Sequence, residues 1–122
     1  SCWRFGCRVT ILDIIVDVEG WIMDFPGEGG TYRADYGADM VVHHDYTATG
    51  KLTYTMTRPS PFYRYTVDIT VARIRDDVYT VTFEDLRARM VLIEDFGADK
   101  VTTFMAMKDG TFAQYTGTFI KL

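Results

Sequence analysis

Side chains able to pass a proton or hold a polar ligand are spread along this chain rather than gathered in one motif: Tyr36, His43, His44, Tyr54, Arg64, Glu84, Asp85, Arg89 and Tyr115. An imidazole titrates near neutrality and can move a proton when a carboxylate orients it. His43 and His44 are consecutive, so in a strand they face opposite sides and only one can point inward. His44 is in phase with Met40, Val42 and Tyr46, whereas His43 shares its side with Val41 and Asp45. His44 is therefore the inward candidate, although a histidine satisfied by hydrogen bonds near a core is the commoner outcome. Glu84 and Asp85 offer adjacent carboxylates, and Arg64 on a facing strand is the partner to look for. A buried ion pair costs desolvation, so a cavity beside such a pair would be meaningful.

Arg87 and Arg89 are two apart and share a face with Val91 and Ile93. Arginines beside apolar side chains usually lie along an exterior surface. If that face lined a lumen, the guanidinium fork could hold a ligand carboxylate. The acid–base set expected from these considerations is Tyr36, Asp85, Glu84 and His44. The expected ligand contacts are Trp21, Tyr36, Tyr54, Arg64, Phe83, Arg89 and Tyr115.

Other chemistries fit poorly. The only serines are Ser1 and Ser60, and neither a nucleophile elbow nor a glycine-rich phosphate loop is present. One inward histidine with scattered carboxylates is too little for a metal, which needs three or four converging ligands. No cofactor is expected. The net charge is −4 with no run of Lys or Arg, which argues against a nucleic-acid partner. The most apolar stretch, Val9 to Val18, is interrupted by Thr10, Asp13 and Asp17 and falls short of a membrane span. Arg4 and Arg8 are followed by acidic residues rather than the smooth apolar core of a signal peptide. Cys2 and Cys7, the only cysteines, read as free thiols in a reducing compartment, so a cytoplasmic location is expected.

The elements that must position these residues are strands. With 122 residues the chain is the size of one domain, and 15% of it is aromatic, a composition that suits strands and also apolar pockets. The stretch Val67 to Phe83 alternates apolar and polar residues on either side of Arg75-Asp76-Asp77, the pattern of a hairpin. Similar runs cover 31–36, 40–47, 51–57, 62–74, 78–83, 87–94, 101–107 and 111–120. A further strand, with helix as its rival, is expected over 3–18. Gly20 to Gly30 reads as a loop whose Trp21, Ile22, Met23 and Phe25 are too apolar for water, so they form either a plug or a cavity wall. Lys108-Asp109-Gly110 is a hairpin turn of the Asp-Gly type. About eight or nine short strands at spacings near ten residues predict an all-β, small antiparallel up-and-down barrel, with a two-sheet sandwich as the alternative.

From Gly30 through Phe119 the order of features resembles the MoaF-like family and, more distantly, the phenolic acid decarboxylases, both small calycin-like (lipocalin-like) barrels. The residues behind the likeness are the aromatic strand Tyr32 to Tyr36, the strand pair ending in KLTYTMT at 51–57, and the segment Ile69–Asp85, with its acidic turn, Val78-Tyr79, Val81 and Phe83-Glu84. The decarboxylase resemblance implies a tyrosine pair two positions apart for the substrate carboxylate, assisted by an arginine and a glutamate. Here the second tyrosine is Tyr36 but the first position is Ala34. The glutamate falls on or beside Asp85, and the arginine position is Phe62, with Arg64 two residues away. Half the clamp is missing, so the activity does not carry over.

Two functions then compete. The first is a barrel that binds a small apolar or aromatic molecule. The second is a cofactor-free lyase, isomerase or cyclase working by acid–base residues on an aromatic or polyketide-like substrate in the same lumen. A filled barrel acting through an oligomer interface, such as a homodimer, is the third.

Overall fold

The structure, a computed structural model, describes residues 25–38, 40–58 and 64–122. The strand expected over 3–18, Trp21, Ile22 and Met23, and both cysteines lie outside the described residues. Nine strands occur among those described, with no helix: β1 (Thr31–Asp35), β2 (Val41–Asp45), β3 (Lys51–Arg58), β4 (Arg64–Asp68), β5 (Thr70–Arg75), β6 (Val78–Glu84), β7 (Ala88–Asp95), β8 (Lys100–Met107) and β9 (Phe112–Lys121). Every pairing is antiparallel, in the order β4-β3-β2-β1-β9-β8-β7-β6-β5. This is the expected all-β barrel-shaped sheet.

Two devices bend this sheet toward a closed wall. First, β1 and the last strand, β9, are hydrogen-bonded with Ala34 opposite Phe119. Second, the single segment from Arg64 to Arg75 supplies both outer strands, its first half pairing with β3 and its second half with β6. The sequence pattern predicts one strand across 62–74, but the segment changes partner at Ile69, whose amide donates to the carbonyl of Gly50 at 3.0 Å. Val67, Ile69 and Val71 stay in phase against the core throughout, so the alternation passes through the bend without marking it. Joining the two edges through one chain leaves little open ladder for another chain to join.

Cross-strand register sorts the inward side chains into layers. One end of the barrel is filled by Phe25, Tyr32, Tyr46, Tyr79, Phe96 and Phe119. Tyr32 and Phe119 stack with ring centroids 4.8 Å apart, while Phe25 meets Tyr46 and Phe96 edge-on at 5.1 and 5.6 Å. Phe25 therefore plugs, as one reading of the Gly20 to Gly30 stretch predicts. The side chains of Tyr46, Phe119, Leu52 and Leu92 are almost fully buried, and each such burial stabilises the fold by about 1.5–3 kcal/mol. Where β1 leaves β9, a Cβ on Gly117 would stand 2.1 Å from the carbonyl oxygen of Asp35, so only glycine lets the strands come this close.

Candidate functional site

Beyond the aromatic plug the side chains leave a small cavity that is open on one side. The cavity holds about 40 Å³ of free space, within a hollow of about 420 Å³ when its open side is counted. Strand alternation supplies the wall. His44 lies opposite Tyr54, Val42 opposite Met56, Met90 opposite Met105 and Leu92 opposite Thr103, all pointing to the same interior. Met40, Met56, Met90 and Met105 line it, four of the six methionines in the chain.

The polar groups fall in two places. At the rim, the turn from β6 to β7 is organised by Asp85. Its Oδ1 accepts the amides of Arg87 and Ala88 at 2.8 and 2.9 Å, and its Oδ2 accepts the Tyr54 hydroxyl at 2.5 Å. The Arg87 guanidinium stands 3.5 Å from Oδ2 and remains about half exposed. Burial works against charge on this carboxyl, but the Tyr54 hydroxyl, the two amides and the Arg87 charge outweigh it, so the pKa of Asp85 lies below its ordinary value. The pattern reading puts Arg87 in a strand on the outer face. Instead the Asp85 side chain turns the chain, β7 starts at Ala88, and Arg87 folds back over the cavity.

The inner groups are drier. The Tyr36 hydroxyl shares a hydrogen bond with Thr103 Oγ1 at 2.5 Å, and burial pushes its pKa up to about 12. His44 is 4% exposed, and burial, helped by the neighbouring His43, lowers its pKa to about 3. One layer deeper, Glu94 is fully buried and accepts the Tyr46 hydroxyl on Oε2 at 2.5 Å. Burial raises the Glu94 pKa to about 8 despite that bond, and pushes Tyr46 far up as well. His44 Nδ1 and Glu94 Oε2 are 3.8 Å apart, close enough for an ion pair if both were charged. In so dry a place burial opposes both charges, and the pair is neutral.

Of the residues singled out from sequence, Tyr36, His44, Tyr54, Phe83 and Asp85 come together around the cavity. Tyr115 sits beside it, its ring 5.9 Å from that of Tyr36, and is 38% exposed. Three others are not brought in. Glu84 and Arg89 face each other across the outer surface at 3.6 Å, both exposed, because they are one residue out of phase with Phe83 and Met90. Arg64 also lies outside, where its Nε donates to Thr55 Oγ1 at 3.0 Å, so the expected contact of Arg64 with Glu84 and Asp85 does not form. Ala34, at the first clamp position of the decarboxylase pattern, is wholly buried and brings no hydroxyl. Phe62 lies outside the described residues.

Sequence reasoning missed Thr103, the methionine lining and, above all, Glu94, and it left Arg87 between the outer surface and the lumen. The signal for Glu94 was available: it is in phase with Ala88, Met90 and Leu92, and a carboxylate in an apolar series calls for an explanation. Among the described residues, no group of three or more His, Cys, Asp or Glu side chains is placed to hold a metal ion.

The strand order defines a small antiparallel barrel, with a cavity beside its aromatic end. The chain belongs to the MoaF-like family, whose model matches residues 28–120. A crystal structure of a protein from Burkholderia vietnamiensis, provisionally called a beta-lactamase, has a similar fold. Its TM-score is 0.75 at 23% sequence identity, over 83% of this chain and 100% of that one. At that identity the likeness speaks to fold alone. No curated protein matches the sequence.

Proposed function

We propose that the barrel binds a small apolar or aromatic molecule in its cavity without covalent chemistry. The observation that carries this reading is the lining, in which Met40, Met56, Met90 and Met105 surround a few fixed polar groups. Methionine is unbranched and polarizable, so such a wall re-forms around guests of different shape and favours contact with aromatic rings. The free volume of about 40 Å³ is then the volume with the methionines relaxed inward, and a ligand enlarges it by turning them aside.

The polar groups suit orientation better than proton transfer. General acid–base catalysis works best with a pKa near the working pH. Asp85 is held below the ordinary carboxylate range, His44 is at about 3 and Tyr36 at about 12, so none of these three is poised near neutrality. The contact of Tyr54 with Asp85 is what favours the second reading, a cofactor-free lyase, isomerase or cyclase, because a substrate that broke it would release a carboxylate beside a phenol.

Titrating the purified protein with hydroxycinnamates and other small aromatics, while following intrinsic fluorescence and ligand absorbance, separates the two. Saturable quenching with unchanged ligand absorbance is the expected result. Loss of ligand absorbance that disappears in Asp85→Asn or Tyr36→Phe would favour the enzyme. Absence of both signals across apolar and aromatic probes would sink the cavity reading.

A further inference from the structure

The two ends of the cavity differ in charge. Asp85 and Arg87, both ionised, stand at the rim, while the inner end presents His44 and the Tyr36–Thr103 pair. His44 lines the cavity, is 4% exposed, and its Nδ1 has no hydrogen-bond partner; behind it Glu94 Oε1 has none either. The two side chains do not satisfy each other, since Nδ1 is 3.8 Å from Oε2, beyond hydrogen-bond range, and Oε2 is already taken by Tyr46. Buried polar atoms are almost always paired, and His44 Nδ1, turned toward Glu94, finds no partner inside the wall, so a ligand in the cavity that His44 lines is what can supply the ring with one.

We infer that the cavity selects ligands whose inner end carries an uncharged hydroxyl, of the phenol or alcohol kind, received by His44. This deepens the proposed function and rests on it. A hydroxyl both donates and accepts, so it suits either tautomer of a neutral imidazole. A carboxylate only accepts, so it suits just the tautomer that donates from that nitrogen, and it brings a charge with it. No cation faces the inner end among the described residues that line the cavity, Arg87 being at the rim, and a charge left without a counter-ion in so dry a place pays heavily for desolvation. The low pKa of His44 agrees, since the ring stays neutral over the ordinary pH range. An anionic group, where the ligand has one, belongs outward beside Arg87.

The test compares ethylbenzene, 4-ethylphenol and 4-ethylbenzoate, which share an apolar body, on the wild type and on His44→Leu, with calorimetric dissociation constants. Wild type is expected to bind 4-ethylphenol about tenfold tighter than ethylbenzene, while 4-ethylbenzoate, its carboxylate outward beside Arg87, gains nothing from His44. In His44→Leu the ratio of the two dissociation constants, 4-ethylphenol against ethylbenzene, falls to about one or reverses, whatever the change in absolute affinity. A wild type that binds ethylbenzene but shows no hydroxyl preference overturns this inference and leaves the cavity reading standing. A wild type that binds none of the three overturns both. A preference that survives in His44→Leu also overturns the inference. A second readout needs no variant: in the ¹⁵N-histidine spectrum of wild type, His44 shifts with 4-ethylphenol far more than with ethylbenzene, while His43 serves as internal control. Equal shifts with the two ligands count against the inference.

Discussion

Replacing Glu94 with glutamine tests whether the carboxyl beneath the cavity is carried as a neutral acid. Burial raises its pKa from 4.5 to about 8, whereas the unfolded chain keeps the ordinary value. Folding therefore takes up a proton between those limits. The stability tied to this group is fully present below pH 4.5 and is lost as pH rises through about 8, with a slope approaching 1.4 kcal/mol per pH unit. His44 runs the other way. Its folded pKa is depressed from 6.5 to about 3, so its contribution is present above pH 6.5 and is lost as pH falls toward 3. Between pH 4.5 and 6.5 the two slopes cancel and the pair gives a plateau. From pH 6.5 to about 8 Glu94 acts alone, and the wild type loses about 2 kcal/mol relative to a variant without the carboxyl. Glutamine keeps an oxygen for the Tyr46 hydroxyl, so Glu94→Gln removes the titration with little change in packing. Urea unfolding at steps between pH 6 and 8.5, on both proteins, reads the difference. The free energy of wild type should fall toward that of the variant, or cross below it, by about that amount. Parallel pH profiles, or a wild type that gains on the variant as pH rises, would refute the reasoning.

Other substitutions probe the rim, the frame and the outer surface. Asp85→Asn weakens the hydrogen bond from Tyr54 and the hold on the turn before β7, and should cost about 1–2 kcal/mol in urea unfolding at neutral pH. Because its folded pKa is depressed, this contribution in the wild type is present above the ordinary carboxylate pKa and is lost as pH falls through the folded value, so the gap between wild type and variant should narrow in acid. Gly117→Ala drives a methyl group toward the Asp35 carbonyl and should destabilise by about 1–3 kcal/mol or more, read as a fall in the thermal midpoint. Glu84→Ala and Arg89→Ala touch an exposed pair on the outer face, so each should stay within about 0.5 kcal/mol of wild type in stability and leave ligand titrations unchanged.

The frame was legible because period-two alternation is strong here: KLTYTMT sends Leu52, Tyr54 and Met56 inward, and Val101, Thr103 and Met105 repeat the pattern. The same alternation placed His44 inside and His43 outside, and put Phe83 on the cavity wall. It failed where phase was not applied. Glu84 and Arg89 alternate with Phe83 and Met90, so their outward direction followed from the sequence once the inward set was fixed. Glu94 was hidden by its chemistry, since a carboxylate is expected in water and only a closed barrel gives it a dry place. The direction Arg87 takes and the bend at Ile69 were not decided by pattern. The first depends on an Asp85 side chain recapturing the backbone, the second on which neighbour each half of one segment finds. The residue numbers of a site can be read from phase, whereas its depth and protonation need the closed wall.

If the methionine-walled cavity opens to receive a guest, methionine methyl resonances report on it directly. With ¹³C-methyl methionine labelling, titration of an apolar aromatic such as 4-ethylphenol should shift the signals of Met40, Met56, Met90 and Met105 together, on one saturable curve, with Met107 on the same barrel but outside the lining nearly still. Four unmoved cavity signals at saturating probe, or shifts led by Met107, would contradict it.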